Sequence, residues 1–119
     1  MSNIIKVNNL QPGFKKVNEK IILITIIGIL EAIKAKAITI EEAEKFLFSP
    51  HMARNLKNNR CDEKVLGLIL EGCELENIDS LIPEKFNQIV DEIKQRALIL
   101  LNQYEVFDEE LWLEDKTEK

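Results

Sequence analysis

Few side chains in this sequence have the chemistry that catalysis needs. The single histidine, His51, follows Ser49-Pro50 at what reads as a helix start. A positive imidazolium is disfavoured beside a helix N-terminus, so His51 is expected to be a neutral surface side chain. Of the two cysteines, Cys73 falls at helical spacing among aliphatic residues and reads as a small core residue. Cys61 is expected to be the more exposed, with no second histidine or lysine-rich pocket to activate its thiol. The two stand twelve residues apart, and a helical rise of about 1.5 Å per residue separates them by roughly 18 Å. A disulfide needs Cα atoms within about 7 Å, so free thiols and a reducing cytoplasm are expected.

One histidine cannot supply a zinc pattern of the usual spacing, and no glycine-rich phosphate loop occurs. The acid pairs Glu41/Glu42 and Glu109/Glu110 are adjacent in sequence, point to different faces and read as solvated surface. Catalysis asks for a positioned acid, base or nucleophile. The chain is therefore expected not to be an enzyme, with no catalytic residue, no cofactor and no metal ligand.

Binding chemistry is better represented. From Tyr104 onward the chain carries seven acids and two lysines, while residues 1–103 balance at 14 acids against 14 bases. Phe107, Leu111, Trp112 and Leu113 are interleaved with those acids, and tryptophan is a frequent interface anchor. Such a tail folds back on its own domain, or docks on a basic partner protein or on a second copy of the chain as a homodimer. A neutral body argues against general nucleic-acid binding, which wants a clustered positive surface.

One local pattern keeps nucleic acid open as the alternative. Residues 39–57 have the look of a helix-turn-helix of the excisionase-like and repressor-like kind. Arg54 and Lys57 lie on its second helix and Arg60 follows, with no acid among residues 51–61. That arrangement suits phosphate contact. Two departures weaken it. Glu44 stands where those families bury a small residue, and a buried carboxylate is costly. The turn is one residue short, with Phe48 in place of the usual glycine.

The elements that must position these residues are organised around Ile21–Leu30, ten residues without a charge, six of them isoleucine. A membrane span needs about 20 apolar residues, and Lys20 and Glu31 bracket a much shorter run. It also begins too far into the chain, with no small-residue cleavage site behind it, for a secretory signal. The β-branched composition makes a strand the rival reading. Helical spacing of Phe14, Val17, Ile21, Ile24, Gly28 and Ala32, followed by strong helix formers, favours one helix over about 14–36. Its middle is apolar all round, so it should sit at the centre of a bundle. Gly28 either admits a close partner helix or is simply tolerated.

Before it, residues 1–13 end in the turn signal Pro12-Gly13; this arm is a short strand or an extended cover. After it, Thr39 with Glu42 forms a capping box. Ile40, Ala43 and Leu47 make its stripe, with Phe46 beside it. Ser49-Pro50 opens another helix, with Met52 and Leu56 inward, ending at Lys57-Asn58-Asn59. Asp62 caps a helix of Val65, Leu66, Ile69 and Cys73, and Gly72 ends it. Glu74–Pro83 reads as a turn-rich connector pinned by Ile78, Leu81 and Ile82. From Pro83 a last helix carries Phe86, Ile89, Val90, Ile93, Ala97, Leu100, Leu101 and Tyr104 at steps of one to four residues on one stripe.

The fold class expected is therefore all-α: a single-domain bundle of four to five helices over residues 1–103, with a central hydrophobic helix and an acidic tail at 104–119. The segments Ile38-Thr-Ile-Glu-Glu-Ala-Glu, Leu47-Phe-Ser-Pro50 and Glu71-Gly-Cys-Glu-Leu-Glu-Asn-Ile-Asp-Ser-Leu-Ile-Pro83 also resemble a small uncharacterised helical family. Its members are cytoplasmic proteins of low-GC Gram-positive bacteria, and the resemblance spans residues 20–103. It implies a helical fold and a cytoplasmic location, and no activity. The expected role is a protein-interaction module of immunity, antitoxin-like or regulatory kind, with no membrane partner.

Overall fold

The computed structural model describes residues 16–106. The N-terminal arm, the first residues of the predicted first helix, and Phe107, Leu111, Trp112 and Leu113 of the tail lie outside the described residues. Among the described residues there are helices and no strand, so the isoleucine-rich decad is helical.

The first helix, α1, spans Lys16–Lys34. Ile22, Leu23, Ile26, Ile29, Leu30 and Ile33 are buried, a face recurring at the three- and four-residue steps of a helix. The chain leaves α1 through Lys36, whose φ is 62°, as the Ala37 N–H reaches back to the Ala32 carbonyl at 2.8 Å. This six-to-one closure satisfies a carbonyl that the helix end would orphan.

Helix α2, Ile40–Phe46, starts at the predicted capping box. The Glu42 N–H donates to Thr39 Oγ1 at 3.0 Å, and the Thr39 N–H donates to Glu42 Oε1 at 2.8 Å. Helix α3, Pro50–Asn58, is capped by Ser49, whose Oγ accepts from the Met52 N–H at 3.2 Å. It ends as α1 does, with Arg60 at φ 65° and the Cys61 N–H on the Leu56 carbonyl. Asp62 caps α4, Glu63–Gly72, by accepting from the Lys64 N–H at 2.7 Å.

The next stretch differs from expectation. Residues 75–81 form a helix, α5 (Leu75–Leu81), in place of a turn-rich connector. It lacks a side-chain cap at its N-terminus, which removes the signal that marked the others. Leu75 is fully buried and Ile78 packs on the core. Leu81 and Ile82 do not pin the segment: they are 78% and 40% exposed. A 3-10 turn at Pro83–Lys85 leads into α6, Phe86–Leu101. Its stripe is as predicted, with Val90, Ile93 and Ala97 fully buried, and Leu98 and Ile99 exposed off it.

Helix α6 is the principal neighbour of α1. The seam is edged by ion pairs, Lys34 to Asp91 at 2.8 Å and Lys94 to Glu31. Helix α4 packs on α1, α3 and α6, whereas α2 packs on α1 and α5. Phe48, between α2 and α3, is 1% exposed, and a Cβ built on Gly72 would fall 2.6 Å from its ring. Gly72 thus ends α4 and also lets Phe48 lie against it. Full burial of each such aliphatic or aromatic side chain contributes roughly 1.5–3 kcal/mol.

The cysteines are reversed relative to expectation: Cys61 is buried and Cys73 half-buried, both as free thiols. The Cys61 N–H is already held in the α3 closure, which draws the residue inward.

Candidate functional site

The apolar face of α1 is not covered all round. Ile24 is 43% exposed, and a Cβ added at Gly28 would meet nothing within 4 Å. Gly28 therefore marks an opening rather than a close helix approach. Together with Thr25, Ile29 and Ala32 of α1, Ile38, and Glu42, Lys45 and Phe46 of α2, Ile24 and Gly28 line a groove of about 730 Å³. Phe46 forms its outer wall and is 55% exposed.

The few polar atoms in the groove are committed. The Thr25 hydroxyl donates to the Ile21 carbonyl at 2.8 Å, and the Glu42 carboxylate accepts from the Thr39 N–H in the capping box. Lys45 is the cation on the rim. Such a surface has no acid–base machinery; what it does chemically is remove apolar surface from water. An exposed apolar concavity with a polar rim is the usual form of a docking surface.

Its signal was present in the sequence. Ile21, Ile24, Gly28 and Ala32 form one stripe, and Ile22, Leu23, Ile26, Leu30 and Ile33 form another. Two apolar stripes need two covers, and α6 supplies one. Phe46 lies off the Ile40/Ala43/Leu47 stripe for the same reason.

A buried polar arrangement is marked by no local sequence pattern. Glu19 is 3% exposed. Its Oε2 accepts from the Asp62 N–H at 2.8 Å and its Oε1 from the Tyr104 hydroxyl at 2.8 Å. One carboxylate thereby joins α1, the α3–α4 junction and the end of α6. Burial, then the nearby Glu19 and Asp62 charges, push the Cys61 thiol up to about 12. Burial and the bond to Glu19 also raise the Tyr104 phenol. Both groups are held neutral, as structural groups rather than nucleophiles. Glu44 of α2 is likewise raised, by burial first and then by Glu76 of α5. Cys73 is raised by burial and by Glu74 and Glu44.

The basic residues of the alternative reading, Arg54, Lys57 and Arg60, are exposed on and just after α3. The two helices of the supposed helix-turn-helix have different main neighbours, α1 and α5 for α2, α4 for α3. His51 is exposed, 3.4 Å from the Asn55 side-chain amide, and lies outside the groove. Among the described residues no group of three or more His, Cys, Asp or Glu could hold a metal ion. No helix among them is long and apolar enough to cross a membrane.

Among the described residues the fold is all-helical, with an open apolar groove between α1 and α2. The chain belongs to the family described as "Protein of unknown function (DUF3969)", whose model matches residues 14–114. The match takes in α1 to α6 and continues through Phe107, Leu111, Trp112 and Leu113. No curated protein and no solved structure matches the chain.

Proposed function

We propose that this chain is a non-enzymatic protein-binding module, acting in the cytoplasm of a low-GC Gram-positive bacterium. The observation that carries the reading is the groove between α1 and α2, apolar along its length and open at Ile24, Gly28 and Phe46. It would take the apolar side chains of a partner protein, and the net charge of −5 favours a basic one. Neutralising a toxin, as an immunity protein or antitoxin does, is one concrete form of this role; regulatory binding is another.

A photo-crosslinking residue at Phe46 in the full chain, expressed in such a host, tests it. The expected outcome is a discrete protein adduct that disappears when Ile24→Lys is added. No adduct, or one indifferent to Ile24→Lys, overturns the reading.

The second reading, a DNA-binding regulator, is favoured by one observation. Arg54, Lys57 and Arg60 are exposed together, in a stretch from residue 51 to 61 that contains no acid. It requires duplex DNA binding at low salt that weakens steeply as salt rises and is lost in Arg54→Ala with Lys57→Ala. No mobility shift at low salt removes it.

A further inference from the structure

We infer that the occupant of the α1/α2 groove is a second copy of this chain, the two subunits presenting the same groove to each other about a two-fold axis. The inference deepens the protein-binding reading by naming the partner, and it rests on that reading.

A two-fold contact joins one patch to itself, so the patch must carry both halves of every fit. The protruding half here is Phe46, 55% exposed on the outer wall, with Ile24 also exposed in the same groove. The recessed half lies at Gly28, where a Cβ would meet nothing within 4 Å. Phe46 of each copy thus has an opening to enter in the other. Aromatic rings are enriched in interfaces of this kind.

The charges select the same occupant. Among the described residues, Glu42 and Lys45 are the charged side chains lining the groove, one acid and one base. Lys45 has no hydrogen bond or ion pair among the described residues. Glu42 uses Oε1 in the capping box, which leaves Oε2 to accept. A strongly basic partner would be opposed by Lys45 and a strongly acidic one by Glu42, and like-charge juxtaposition suppresses wrong partners. A second copy laid antiparallel along α2 sets Glu42 of each subunit against Lys45 of the other. Residues 1–103 carry 14 acids and 14 bases, so the two bodies bring no net repulsion to the contact.

Sedimentation equilibrium of the full chain tests this. At micromolar concentration the expected mass is twice 13.8 kDa. Phe46→Ser or Ile24→Lys should weaken the dimer at least about a hundredfold, with the helical circular dichroism intact. Leu81→Lys, at an exposed position on α5, should leave it unchanged. Lys45→Glu and Glu42→Lys should each weaken it about tenfold, because both pairs on the rim become like-charged. An equimolar mixture of those two variants should associate at full strength, since each subunit supplies the charge that the other lacks. A chain that stays monomeric overturns the inference. So does a dimer indifferent to Phe46→Ser and Ile24→Lys, or a mixture no tighter than its components.

The Phe46 photo-crosslink separates this failure from that of the binding-module reading. An adduct of two copies supports both. An adduct with a different protein, from a chain that sediments as a monomer, overturns the second-copy inference and leaves the module standing. No adduct of either kind overturns both.

Discussion

Cys61 has a thiol pushed up to about 12 because burial and the carboxylates of Glu19 and Asp62 all disfavour the thiolate. At pH 8 the folded protein should therefore alkylate at Cys61 only as fast as it opens, while Cys73, half-buried, reacts sooner. Mass spectrometry after iodoacetamide pulses, with and without urea, checks this; free-thiol rates at Cys61 in the folded chain would contradict it. Glu19 itself is the more consequential residue. Glu19→Ala leaves the Asp62 N–H and the Tyr104 hydroxyl without this acceptor in the interior and should cost about 2 kcal/mol or more, read from urea unfolding. Nothing in the sequence marks Glu19, because the groups that hold it come from 43 and 85 residues away.

The helices show where local chemistry suffices and where it does not. The Thr39/Glu42 box, the Ser49-Pro50 start and the Asp62 cap are legible because each is made by residues two or three positions apart. Helix α5 is not legible: it has no side-chain cap, and Leu75 is its single buried side chain. The groove was half legible, since the all-round apolar character of α1 predicts cover without saying which side stays open. Its predicted partner residues, Phe107, Leu111, Trp112 and Leu113, lie outside the described residues.

Two helix ends invite a further test. Lys36 and Arg60 both hold left-handed backbone, at φ 62° and 65°, where an L side chain is strained by about 1–2 kcal/mol. Glycine relieves that strain, while it also gives the unfolded chain more freedom. Lys36→Gly or Arg60→Gly should accordingly stabilise by roughly 0.5–1 kcal/mol, seen as a higher melting temperature. Between α2 and α5, the raised Glu44 carboxyl implies a pH dependence. A folded-state pKa above the unfolded one gives stability that is present in acid and lost as pH rises through the folded value. Glu44→Gln should thus stabilise the protein at pH 7 by about 0.2–0.5 kcal/mol, the scale of an exposed like-charge pair, and make no difference near pH 3.

For the whole molecule, most of the core lies where α1, α4 and α6 meet, and α2 and α5 are attached to that body by one or two fully buried side chains each. Local opening free energies follow such differences in buried contact. Amide hydrogen exchange should therefore be slowest in α1 and α6, matching global unfolding, and faster in α2 and α5. Equal protection throughout would show a more cooperative unit than the packing implies.

The pairing of the first helix with the last has a consequence during synthesis. Helix α1 leaves the ribosome before its main neighbour has been translated. At roughly 5–20 residues per second, several seconds pass before α6 follows. In that interval Ile22, Leu23, Ile26, Leu30 and Ile33 have only α2 and α4, the smaller neighbours of α1, to close over them. The nascent polypeptide then carries an aliphatic stripe in water until α6 docks on it.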